Sequence, residues 1–191
     1  MSRTLVLVFH PDLHASRANR ALARHAARLD DTEVVDMRRA CPSGRIDVDR
    51  EVQRLLAADR VVMQFPVRWY ATPALMRNWQ DAVLTRMYYL RHAEEGRHFE
   101  GTPLLVAATA GNTPEAYSAQ GVNRFPLPDL LRPLQAMAHR CALPWAAPFL
   151  LYRADRLDDA ALEAAAEDYT ARLRQWIGHT DHAPVAAAAT R

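Results

Sequence analysis

At 191 residues, with 50% apolar and 24% charged residues, the chain has the size and composition of one globular domain with a sizeable core, which excludes a disordered segment. A net charge of +2, with arginines scattered rather than clustered, excludes a nucleic-acid partner held by charge. There is no apolar run of about 18 residues and no metal-ligand spacing around the two cysteines, Cys41 and Cys141, and the start of the sequence does not read as a secretory leader, so a reduced, cytoplasmic setting is expected.

The first element is a continuous apolar run over 4–9, Thr4-Leu5-Val6-Leu7-Val8-Phe9, as expected for a strand buried on both faces of a parallel sheet. His10-Pro11 follow, and a short polar loop ends at Ser16, a good helix N-cap. Behind it Ala18, Leu22, Ala26 and Leu29 share one face of a helix over 17–29. Further strands are predicted over 33–37, 60–65, 103–109 and 146–151, and further helices over 47–58, 73–87, 129–141 and 158–177. The helix over 73–87 starts with Thr72 as N-cap and Pro73 as its first residue, and Leu75, Met76, Trp79 and Val83 form its apolar face. The last helix begins at Asp158 and carries Leu162, Ala166, Tyr169, Leu173 and Trp176 on one stripe. Residues 1–178 read as one domain and 179–191 as a frayed tail. The connections over 87–102 and 110–128 are long, which at the carboxyl end of a sheet points to function.

Strands alternating with helices predict an α/β, three-layer sandwich around a five-stranded parallel sheet. Five strands fit the flavodoxin-like order 2-1-3-4-5, whose ligand site lies beyond the carboxyl ends of strands 1 and 3. Three loops should meet there. The first runs into a helix N-terminus, and His10, Ser16, Arg17 and Asn19 surround it with donors suited to a phosphate monoester. Neither GxGxxG nor GxxxxGK[ST] is present, which disfavours the usual dinucleotide and triphosphate loops. The second loop, Gln64 to Pro73, carries Trp69 and Tyr70; the third carries Thr109-Ala110-Gly111-Asn112-Thr113 and then Tyr117. Each piece has a plain alternative: a strand-end histidine bonded to backbone, helix caps at Ser16 and Asn19, core aromatics, a turn glycine. Their convergence favours a flat, phosphorylated aromatic ligand, of which flavin mononucleotide (FMN) is the obvious one.

The residues extend into a longer pattern: His10-Pro11, Ser16-x-x-Asn19, Gln64-x-Pro66-x-x-Trp69-Tyr70, Pro73-x-Leu75, Trp79-x-Asp81, Thr109-x-Gly111, Pro133-Leu134-Gln135-Ala136 and Cys141-x-Leu143-x-Trp145-x-x-Pro148-Phe149. In this order, across nearly the whole chain, the pattern resembles the flavodoxin-like NAD(P)H:quinone oxidoreductase family. Within it the likeness is to the ancillary quinone reductases of glutathione-regulated potassium-efflux systems. The resemblance implies FMN as cofactor, NADH or NADPH as donor, a quinone-like acceptor and two-electron ping-pong hydride transfer. It also implies a homodimer and a membrane-transporter partner. By the same resemblance His10, Ser16, Arg17, Ala18 and Asn19 take the ribityl phosphate. Pro66, Val67, Arg68, Trp69 and Tyr70 follow one edge of the flavin, Thr109, Ala110, Gly111 and Asn112 wrap the other, and Tyr117 stands over the nicotinamide and quinone pocket as the catalytic position.

Three residues depart from the family pattern. Asn112 replaces a second glycine, Met87 replaces a glycine after the third helix and remodels the pocket roof, and Asn123 stands where some relatives place a histidine partner for Tyr117. Two other readings therefore stay open: a regulatory subunit docked on a potassium-efflux transporter, and a flavodoxin-like binding domain that has lost FMN. A response-regulator receiver would need an aspartate where strand 3 ends in Gln64-Phe65-Pro66, and a low-molecular-weight tyrosine phosphatase would need a cysteine in the first loop; both are rejected.

Overall fold

The apolar run at the start of the chain becomes β1 (Thr4–Val8), buried along its whole length. In the computed structural model, which describes residues 2–181, it is the second strand of a five-stranded sheet ordered β2-β1-β3-β4-β5, with every pairing parallel. The other strands are β2 (Thr32–Asp36), β3 (Arg60–Pro66), β4 (Leu104–Thr109) and β5 (Phe149–Leu151). Alternate side chains of one strand serve two separate cores. Leu5 and Leu7, with Met63, Phe65 and Val106, pack under the helices that follow β2, β3 and β4. Val6 and Val8, with Val62, Leu105 and Ala107, pack under α1 (Arg17–Ala26) and α8 (Asp159–Asp181). This is the three-layer sandwich with the strand order expected.

Caps set several helix starts. Ser16 Oγ accepts the Asn19 N–H at 3.2 Å to begin α1, and Asp158 Oδ1 accepts the Ala161 N–H at 2.8 Å to begin α8. Asp36 caps the short α2 (Met37–Ala40), and Asp47 caps α3 (Val48–Leu56).

The boundaries differ most from expectation in five places. Pro73 has an extended backbone (ψ 150°), so it is the cap of α4 (Ala74–Trp79) rather than its first residue, and Thr72 makes no cap hydrogen bond. The expected loop over 87–102 is helical: α4 runs on through wide π-helical turns at Gln80–Leu84, Arg86–Leu90 and His92–Gly96 into α5 (Arg97–Phe99). Met87 is thereby fully buried in the core and does not form a pocket roof. The helix expected over 129–141 is split at Leu131 into α6 (Leu127–Leu130) and α7 (Arg132–Arg140), because Pro133 has no N–H to bond the Asp129 carbonyl. Pro148 likewise shortens the expected strand over 146–151 to β5, leaving one isolated bridge at Trp145. The last helix continues past the expected end at 177 through Asp181, and residues 182–191 of the expected tail lie outside the described residues.

Candidate active site

The carboxyl ends of β1, β3 and β4 open onto a cleft of about 500 Å³. Of the residues singled out in the sequence, His10, Ser16, Arg17, Ala18, Asn19, Pro66, Val67, Arg68, Thr109, Ala110 and Gly111 line it. Trp69, Tyr70, Asn112 and Tyr117 do not, and each has its own reason.

The end of the cleft expected to take a phosphate is built by α1. Ser16 spends its side chain on the Asn19 N–H, which leaves the first-turn N–H groups of Arg17 and Ala18 at the positive end of the helix dipole. The Arg17 guanidinium points elsewhere: it donates to the Leu157 carbonyl at 2.9 Å and to Asp159 at 2.6 Å, so Arg17 offers the cleft its backbone only. His10 accepts the Asp12 N–H on Nδ1 at 3.0 Å, which places its ring proton on Nε2 as a donor. Burial pushes the imidazole below its ordinary range, and the positive charge of Arg68 acts in the same direction, so the neutral form is favoured. Arg68 has no carboxylate partner among the described residues.

Beneath the cleft lies a buried polar network. Asn19 Nδ2 donates to Thr109 Oγ1 at 2.9 Å, Gln64 Nε2 donates to the Asn19 carbonyl at 2.8 Å, and Tyr169 OH donates to Gln64 Oε1 at 3.4 Å. The network ties α1, β3, β4 and α8 together at the floor of the site. Asn19 Nδ2 keeps a second hydrogen for a ligand. Gln64 and Tyr169 read from sequence as a motif residue and a core residue; the one signal of their role was a glutamine inside an otherwise apolar strand.

The second loop is a two-residue hairpin turn. Arg68 and Ala71 exchange N–H···O bonds of 2.9 and 3.0 Å, and Trp69 and Tyr70 between them both have positive φ, 48° and 62°. Both central residues at positive φ is the pattern of a type I′ turn, which favours Gly and Asn, so this pair of aromatics holds a strained backbone beside the site. The turn throws the aromatics outward. Trp69 is 93% exposed, and neither residue is a core aromatic. Tyr70 lines a second, more apolar cavity of about 440 Å³ that includes Tyr88, Tyr89, Leu134 and Met137.

In the third loop Asn112 has an ordinary φ, and its Oδ1 accepts the next N–H, that of Thr113, at 3.0 Å. The side chain is occupied within its own loop. Tyr117 packs against Tyr152, with ring centroids 6.0 Å apart, and burial raises its phenol pKa, with nearby Tyr70 adding to the effect. Asn123 accepts from the Tyr70 hydroxyl at 3.2 Å, so its partner is Tyr70 rather than Tyr117, and its Nδ2 is buried without a hydrogen bond.

Sequence reasoning missed one wall of the cleft. The loop after β5 folds back through hydrogen bonds from Arg153 N–H to the Asn112 carbonyl and from Ala154 N–H to the Ala110 carbonyl, both 3.0 Å. This brings Ala154 and Asp155 into the lining, where a Cβ on Gly111 would lie 3.3 Å from Asp155 Oδ1. The only signal was topological: β5 ends beside β4, at the same rim. Asp12 also lines the cleft.

The set of donors suits a phosphorylated ligand, and comparison with known proteins names its kin. Over 171 residues the chain is 34% identical to the NAD(P)H oxidoreductase YdeQ of Bacillus subtilis, covering 90% of this chain and 86% of that one. Over 172 residues it is 34% identical to KefF of Salmonella typhimurium, an ancillary protein of the glutathione-regulated potassium-efflux system, covering 90% and 96%. Among solved structures it is similar to general stress protein 14 of Treponema denticola in complex with FMN, with TM-score 0.81 and 27% identity over 91% of this chain and 98% of that one. Residues 2–173 match the Flavodoxin_2 family, described as a flavodoxin-like fold, and with the sheet order and the cleft in place the chain belongs to that family and to its NAD(P)H oxidoreductase and quinone reductase relatives.

Proposed function

We propose that this chain is an FMN-dependent NAD(P)H oxidoreductase that reduces quinones or similar electrophilic acceptors by two-electron ping-pong transfer. The observation that carries the reading is the cleft itself: first-turn N–H groups, neutral His10 and an Arg68 with no carboxylate partner among the described residues on one side, and the Thr109–Gly111 strand end on the other. The residues fit the cofactor. Arg17 and Ala18 N–H, His10 Nε2 and the spare Asn19 hydrogen would hold the phosphate, and Pro66 to Arg68 with Thr109 to Gly111 would hold the ring. What bound FMN supplies is hydride uptake from a reduced nicotinamide and release to an acceptor in the same pocket.

The chain orients and protects. The buried Asn19–Thr109–Gln64 network fixes the floor against which a flat ring would lie. Tyr117, kept protonated by burial, packs on Tyr152 outside the cleft lining, and the role assigned to it is donation to an acceptor that reaches past the third loop. The family's departure at Asn112 does not argue against the cofactor, since that side chain is folded onto its own loop. The test is the visible spectrum of the purified chain, followed by anaerobic NADH and then NADPH. A flavin spectrum that bleaches and recovers on adding a quinone supports the enzyme and identifies the donor. A colourless chain that takes up no FMN rejects it in favour of a binding domain of the same fold.

A second reading is specifically favoured by the KefF and KefG relatives: a role on a potassium-efflux transporter, with a cytoplasmic site of action. No helix among the described residues is long and apolar enough to cross a membrane, so such a role requires docking on the transporter. We also assign a homodimer to this chain, on the strength of exposed Trp69, Tyr89, Leu90, Val122 and Phe125.

A further inference from the structure

We propose that Asp155 recognises the polyol of the ligand, accepting hydrogen bonds from the hydroxyls of the ribityl chain that joins a flavin ring to its phosphate. This rests on the flavin reading of the cleft. The argument is an inventory of donors and acceptors. The first loop and Arg68 bring donors to the cleft: Arg17 and Ala18 N–H, His10 Nε2 and the Arg68 guanidinium, with Asp12 as the one carboxylate beside them. A phosphate dianion is all acceptor and matches them. Ribityl hydroxyls must also donate, and the other side-chain acceptors of the cleft are already partly engaged. Ser16 Oγ accepts from Asn19 N–H, Thr109 Oγ1 accepts from Asn19 Nδ2, and Asp12 Oδ1 accepts from Ala15 N–H. Asp155 alone among these keeps both oxygens without a hydrogen bond or ion pair from the described residues.

Its placement is built. Two backbone hydrogen bonds pin the loop to Ala110 and Asn112, Arg153 turns it through a positive φ of 54°, and the bare Gly111 makes room for the carboxylate. A carboxylate near a phosphate site is otherwise a Coulombic cost, so an Asp155 with no ligand role would only weaken anion binding.

That gives the test a sign. The full chain, freed of flavin, is titrated by fluorescence quenching with FMN, with riboflavin, which lacks the phosphate, and with lumiflavin, which lacks phosphate and ribityl chain alike. Asp155→Ala is expected to weaken FMN and riboflavin about tenfold and to leave lumiflavin unchanged. Asp155→Asn, which keeps one carbonyl acceptor, falls between. Unchanged or tighter FMN binding in Asp155→Ala overturns the proposal by showing a bystander charge, and an equal loss for lumiflavin overturns it by showing a general defect of the site. A wild-type chain that binds none of the three overturns the flavin reading itself, a separate result.

Discussion

His10 and Asn19 line one cleft but act by different physics, and substitution separates them. His10 is half-buried at the end of β1 and makes one local contact, so His10→Ala is expected to lower FMN affinity about tenfold while stability stays within about 0.5 kcal/mol. Asn19 is 2% exposed and bonds Thr109, so Asn19→Ala should also cost about 1–3 kcal/mol of stability, because Thr109 and Gln64 lose buried partners. Paired FMN titrations and urea midpoints check both. His10 adds a pH dependence whose sign is fixed. Its folded pKa lies below the unfolded value near 6.5, so its contribution is fully present above that pH and is lost as the pH falls through the folded value. Protonation would put a hydrogen on Nδ1 against the Asp12 N–H. The acid limb of the stability curve should therefore flatten in His10→Ala. Sequence placed both residues at the site because a strand, a loop and a capped helix are local signals. It did not reveal that Asn19 sits over Thr109 and Gln64, since that depends on strands far apart in the chain.

Among the elements, the π-helical stretch after α4 shows where local pattern reading fails. Apolar spacing at 3.6 residues ends near Val83, and the charged run after Leu90 looks like a loop. Wider turns break that period, so the helix was invisible beyond its first half. An ion-pair network around buried Glu95 holds it. Within the stretch Glu95 accepts from Arg86 Nε at 3.0 Å and Nη2 at 2.6 Å, and Arg86 also reaches Asp49 on α3 at 2.5 Å. Gly96 lies so close to the preceding turn that a Cβ would sit 2.4 Å from the Met87 carbonyl oxygen. A backbone neighbour cannot swing aside as a side chain can. Gly96→Ala is therefore expected to destabilise by about 1–3 kcal/mol, read as a lower urea midpoint with little change in slope. By contrast, sheet order was legible, because parallel strands joined by right-handed crossovers leave few arrangements for this alternation.

For the whole molecule, the feature that bears on assembly is the apolar surface around the second cavity. Tyr70 and Tyr89 line that cavity together, Arg140 lies 5.2 Å above the Tyr89 ring, and the Tyr70–Asn123 hydrogen bond joins the strained turn to the loop bearing Val122 and Phe125. The cavity shared by Tyr70 and Tyr89 thus borders the strained turn beside the candidate cleft. Leu90 is 75% exposed and Phe125 60%, which is far more than either would show if this face were turned inward. A second copy of the chain meeting this face would bury the roughly 1,200–2,000 Å² of a standard interface. The wild-type chain should then travel at twice its 21.5 kDa mass in size-exclusion chromatography with light scattering. Leu90→Glu and Phe125→Glu should shift it to the single-chain mass, since a charge in the centre of an interface costs about 2 kcal/mol or more and weakens pairing about 30-fold. Neither residue supports the core, so circular dichroism and the urea midpoint of the separated chain should stay near the wild-type values. A wild-type chain that elutes at 21.5 kDa at micromolar concentration would rule out pairing of this face with its own copy.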